Sequence, residues 1–118
     1  MNGAQGFSLL EKQILALHFN GTYLSNFDFK RIAEQIGLDI DLADREKMLK
    51  ALLKKAAEEG KNAELVAAFT QLLSIRIQAY RTLMERYPEA KEVIMSYIQK
   101  TRSTIMLLQQ RMRVNPYE

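Results

Sequence analysis

Residues 62–87 read NAELVAAFTQLLSIRIQAYRTLMERY, and residues 88–114 continue PEAKEVIMSYIQKTRSTIMLLQQRMRV. In the first stretch Leu65, Val66, Phe69, Leu72, Leu73, Ile77, Tyr80, Leu83, Met84 and Tyr87 form the apolar arc of a long helix. In the second, Ile94, Ile98, Thr101, Ile105, Leu108 and Met112 follow a heptad-like 4, 3, 4, 3, 4 spacing. Pro88 divides them, because proline cannot donate to a preceding helical turn but is at home in a first turn. A helix over 62–87 would span about 39 Å at 1.5 Å per residue. A compact chain of 118 residues has a radius of gyration of about 13.5 Å, hence a diameter near 35 Å. The two segments therefore form an antiparallel hairpin along an elongated bundle, or a proline-kinked continuous helix with partners in another chain. Fraying of 86–89 into a short connection favours the hairpin.

Upstream the pattern stays helical. Ser8 and Glu11 have capping-box spacing, which predicts a first helix over 9–19 with Leu10, Ile14 and Leu17 on one stripe and Asn20-Gly21 as its stop. Leu9, Leu15 and Phe19 lie elsewhere on its circumference, so cover on more than one side is expected. A second helix follows Ser25 or Asn26, carries Phe29, Ile32, Ala33 and Ile36, and ends at Gly37. A third starts after Asp39 or Asp41 and continues toward Gly60, with Leu42, Leu49, Leu52, Leu53 and Ala56 on one face and Lys47, Lys50 and Lys54 opposite. Asn62 is the expected N-cap of the fourth, and Asn115-Pro116 the stop of the fifth. No segment alternates like a strand. The expectation is an all-α, single-domain bundle of about five helices over 1–118, with 1–7 and 114–118 as flexible ends. Leu72, Phe69, Ile98 and Ile105 are its expected main core.

Composition narrows function mainly by exclusion. The chain has no Cys and one His, His18, so thiolate metal sites, disulfides and cysteine nucleophiles are out, and His18 reads as a capping or core side chain. Acid pairs such as Glu58-Glu59 and Asp39/Asp41 read as helix-end groups, and no phosphate-cradling glycine motif occurs. Catalysis, a cofactor and a metal are not expected. The longest apolar run, 65–69, is far short of the roughly 20 residues of a membrane span, and no basic residue precedes an apolar run at the N-terminus. A cytoplasmic protein without membrane association follows as the expectation.

The net charge of +3 arises in the last half, where residues 61–118 carry nine basic and five acidic groups. Acids are interspersed, which weakens a phosphate-binding reading. Within 27–56, Ala33 and Gly37 have the Ala-x-x-x-Gly spacing of a helix-turn-helix. Asp39, Asp41 and Asp44 would then face phosphate from the wrong end of the recognition helix.

Two features point to contact chemistry. Arg76 falls in the middle of the apolar arc of the fourth helix, so it needs an internal acid, a second copy or a bound anion, unless its stem packs and the guanidinium reaches the edge. On the fifth helix Met95, Arg102, Met106, Gln109 and Arg113 lie within about 60° of one another beside the seam. Met and Arg suit adaptable contact surfaces, and Tyr97 offers an anchor at the opposite edge. The expected function is protein binding, as an adaptor or chaperone-like module contacting another protein or a self-associating copy through Met95, Arg102, Met106 and Arg113. A nucleic-acid-binding regulator using 27–56 is the alternative.

Overall fold

Local chemistry at the helix ends sets the frame. The structure is a computed structural model that describes the backbone of residues 3–17 and 22–114 and the side chains of residues 9–17 and 22–112. Five helices follow in order: α1 Gly3–Ala16, α2 Asn26–Gln35, α3 Arg45–Glu58, α4 Asn62–Arg86 and α5 Lys91–Val114, with a 3₁₀ turn at Pro88–Ala90. No strand occurs among the described residues.

Ser25 caps α2 in a reciprocal box. Its hydroxyl accepts from the Asp28 backbone N–H, and the Asp28 carboxylate accepts from the Ser25 N–H. At the other end Leu38 N donates to Ala33 O and Gly37 N to Glu34 O, the paired bonds of a Schellman cap. α3 closes the same way, with Lys61 N donating to Ala56 O and Gly60 N to Ala57 O. Both glycines have positive φ, +79° at Gly37 and +69° at Gly60. A Cβ on Gly37 would also lie 3.0 Å from the Lys61 ammonium, whereas one on Gly60 meets nothing within 4 Å. Alanine at either position is expected to cost roughly 1 to 2 kcal/mol from the left-handed backbone. Gly37→Ala should cost slightly more, because the Lys61 ammonium must shift by a few tenths of an ångström; identical urea midpoints for the two variants would refute this ordering.

Several expected boundaries move. α1 begins at Gly3, so Ser8 lies inside the helix and the Ser8/Glu11 spacing does not mark its start. No proline stops the helix over 3–8, and serine is tolerated in a helix interior. Its stripe of Leu10, Ile14 and Leu17 is fully buried, Leu15 is half-buried, but Leu9 is exposed. His18, Phe19, Asn20, Gly21, Asn115 and Pro116 lie outside the described residues. α3 is capped by Asp44, whose carboxylate accepts from Lys47 N at 3.0 Å, and not by Asp39 or Asp41. Residues 38–44 have no regular secondary structure instead, and Leu42, expected on the buried face, is 58% exposed. The N-cap of α4 is Lys61, because the Schellman closure of α3 leaves a single residue before the helix; Asn62 becomes the first helical residue and is buried.

Charged side chains hold the non-helical connections. Lys30 donates to Ile40 O, Lys55 to Asp39 O at 2.6 Å and Lys61 to Ile36 O at 2.9 Å. Arg45 donates to Leu24 O at 2.6 Å and its guanidinium lies 4.5 Å from the Tyr23 ring centroid. These segments lack a ladder of their own, so their carbonyls take donors from side chains. A hydrogen bond from a charged donor is worth more than a neutral one.

α4 and α5 form the antiparallel hairpin: Ile77 packs with Ile94 and Ile98, and the rings of Tyr80 and Tyr97 meet at 5.7 Å on either side of the Pro88 turn. α1, α2 and α3 surround only its proximal half. The main core there is built on Phe29 and Phe69, with ring centroids 6.2 Å apart, and closes on Leu108 and Met112 of α5. Leu72 and Ile105, expected at full depth with Phe69 and Ile98, are half-buried at the margin. A smaller distal core of Ile77, Ile94 and Ile98 belongs to the hairpin alone. The radius of gyration, 14.7 Å, and extents of 46 × 27 × 20 Å reflect that projection.

Glu11 sits half-buried between α1 and α3, and burial raises its pKa above the ordinary 4.5, Lys50 opposing and Glu46 adding to the effect. A carboxyl raised in the folded state contributes stability below its unfolded pKa and loses it as pH rises through the folded value. Glu11→Gln should therefore stabilise slightly at pH 7, within about 0.5 kcal/mol, and not at pH 3. Melting curves at both pH values check the sign.

Candidate protein-contact surface

The two cores of the hairpin meet at a buried row of hydroxyls. Thr22 lies 2.8 Å from the Tyr80 hydroxyl and 3.1 Å from Thr101 Oγ1, and Thr101 donates to Tyr97 O at 2.8 Å. Each hydroxyl has one proton. Since Thr101 spends its own on a carbonyl, it accepts from Thr22, and Thr22 in turn accepts from Tyr80. Thr22 and Thr101 are fully buried, as is Thr104, which donates to Lys100 O and accepts from Gln13 of α1.

This row fixes one face of the hairpin. On a 100° wheel Tyr80, Leu83 and Tyr87 of α4 fall within about 60°, and so do Val93, Tyr97 and Lys100 of α5. The Tyr80–Tyr97 contact places both stripes on the same side. Proximally that side is covered by residues 22–23 and by α1, through the Thr22, Gln13 and Arg76 contacts. Distally the cover ends. Leu83 is 41% exposed, Tyr87 49% and Val93 54%, beside the half-buried Tyr80 and Tyr97.

Arg76 belongs to the covered part. Nη1 donates to Tyr23 O at 2.7 Å, and Nη2 lies 3.4 Å from Asp28 Oδ2. Its partner is thus the internal acid that also closes the α2 capping box, and the guanidinium remains about one-third exposed rather than buried. Arg76 ties α4 to the start of α2.

The Met and Arg strip of α5 lies on the opposite face, and the structure divides it. Met95 is half-buried against the distal core, whereas Arg102 and Gln109 are exposed and Met106 is 67% exposed. The side chain of Arg113 lies outside those described. Leu83 and Tyr87 carry a signal in the apolar arc of α4 and Tyr97 at the edge of the seam, but Val93 has only its place about 100° off the seam. Nothing in sequence periodicity says which part of a continuous stripe α1 covers.

Between α2 and α3, residues 36–44 form a nine-residue connection, longer than the 3–4-residue turn of a helix-turn-helix. Lys47, Lys50 and Lys54 are exposed. Among the described residues no group of His, Cys, Asp and Glu could hold a metal ion, and no helix is long and apolar enough to cross a membrane. No protein-family model matches the chain, and no curated protein or solved structure is similar to it.

Proposed function

We propose that the chain is a cytoplasmic protein-binding module without catalysis, acting as an adaptor or chaperone-like unit through its projecting α4–α5 hairpin. The observation that carries this reading is the abrupt end of cover along this face, leaving Leu83, Tyr87 and Val93 in water. Aromatic and aliphatic side chains presented on a rigid helical pair suit helix-to-helix recognition. Arg102 and Met106, on the far side, would contribute at most a rim. A nucleic-acid role is less favoured, because Lys30, Arg45, Lys55, Lys61 and Arg76 are already committed to backbone carbonyls of this chain. That commitment reduces the charge available for phosphates.

Site-specific photo-crosslinking in the native host tests the reading. A photoreactive residue at Tyr87 should yield protein adducts that one at Glu58, exposed at the end of α3, does not. Equal yields, or none at Tyr87, would reject the hairpin as a contact surface. Salt-sensitive capture of nucleic acid by Lys47, Lys50 and Lys54 would favour the regulator instead.

A further inference from the structure

We infer that residues 22–25 form a releasable strap across the α4–α5 hairpin, clasped by Arg76 and Arg45, and that its opening lengthens the bare face toward the main core. The strap stands on its own bonds; its effect on recognition rests on the protein-contact reading above. Thr22 and Leu24 are fully buried and Tyr23 between them is half exposed, so alternate side chains of the segment turn inward. Two guanidiniums from different helices hold its successive carbonyls. Arg76 of α4 donates to Tyr23 O at 2.7 Å, and Arg45 of α3 donates to Leu24 O at 2.6 Å with its guanidinium 4.5 Å from the Tyr23 ring centroid. Ser25 ends the strap in the capping box of α2, and Asp28 of that box meets Arg76 Nη2 at 3.4 Å.

Three features make this cover separable from the fold beneath it. What Thr22 meets is polar, the hydroxyls of Tyr80 at 2.8 Å and Thr101 at 3.1 Å. Water replaces such bonds when the strap lifts, so opening there bares no hydrocarbon cavity. Leu24 is the one fully buried apolar side chain that residues 22–25 contribute, and segments with few buried apolar groups open below the cost of global unfolding. Arg45 Nη2 is buried and finds no acceptor among the described residues. A donor left unsatisfied in the closed state favours the open one, where it returns to water. Arg76 falls between Tyr80 and Leu83 on the α4 wheel, about 6 Å from Tyr80 along the axis. The strap thus covers the next turn of the stripe that is bare at Leu83 and Tyr87, and lifting it extends that stripe to Arg76.

Amide hydrogen exchange by NMR on the purified full chain, with urea raised in steps below the unfolding transition, gives the test. The Thr22 N–H, which donates to Leu17 O at 3.1 Å, reports the strap. The N–H of Leu73, fully buried in the middle of α4, reports the whole fold. The Thr22 protection factor should be at least about 100-fold below that of Leu73 and nearly independent of urea, the mark of an opening that exposes little surface. Arg76→Gln should lower Thr22 protection by about three- to tenfold more, and the wild-type comparison holds even if that variant folds poorly.

Equal protection at Thr22 and Leu73, with the same urea dependence, would mean that residues 22–25 open only with the whole fold and overturns the strap. A Thr22 amide indifferent to Arg76→Gln frays without releasing the clasp, which overturns it as well. If the strap opens while Tyr87 crosslinks to nothing in the host, the strap stands and the protein-contact reading falls. If Tyr87 crosslinks while Thr22 opens only globally, the strap falls and that reading stands.

Discussion

Phe69→Ala should lower unfolding free energy by about 3 to 5 kcal/mol, the largest single-site loss expected in this chain. Phe69 is fully buried at the centre of the main core, its ring tilted at 57° to that of Phe29. Removing it empties a space walled by α2, α3 and α4, and helices whose caps and connections are pinned by hydrogen bonds have little freedom to collapse into it. Urea denaturation gives the measurement, and a loss under about 1.5 kcal/mol would mean that the site relaxes. Ile98→Ala should cost about 2 kcal/mol or somewhat more, at the low end for its type, because the distal core is walled by only two helices and its neighbours can close in.

Thr101→Val should cost about 1 to 3 kcal/mol although it conserves shape. The direction of the hydroxyl row decides this. With Thr101 gone, Thr22 can donate only to the Tyr80 oxygen, so the row must reverse and the Tyr80 proton loses its acceptor. Tyr80→Phe breaks the other end of the row, yet it leaves Thr22 still donating to Thr101 and removes only an incoming bond. An under-satisfied oxygen is more readily tolerated than an orphaned donor, so Tyr80→Phe should be the milder change. Equal losses in equilibrium denaturation, or a larger one for Tyr80→Phe, would contradict the direction assigned to the row.

The same residues show what periodicity can carry. Helix α5 was legible as a seam because Ile94, Ile98, Thr101, Leu108 and Met112 repeat on one azimuth, and all are buried. Met95 and Met106 lie only about 20° apart on the wheel, but one packs against Ile77, Ile94 and Ile98 and the other is largely in water. A wheel records direction and ignores position along the hairpin. The Asp39, Asp41 and Asp44 series was ambiguous for a related reason: each is a competent N-cap residue by its chemistry. The choice fell to Asp44 where Lys30 and Lys55 hold the carbonyls of Ile40 and Asp39 and keep that stretch out of the helix.

The amino-acid sequence by itself determined the all-α class, the two long C-terminal helices, the break at Pro88 and the glycine stops at Gly37 and Gly60, because these depend on interactions within a few residues of each other. Only the tertiary structure decided that Arg76 is held by Asp28, that Thr22 joins Tyr80 to Thr101, and that the face carrying Leu83, Tyr87 and Val93 is left bare. Those outcomes depend on which helix reaches how far along the hairpin, and groups up to 79 positions apart in the chain must meet to settle them.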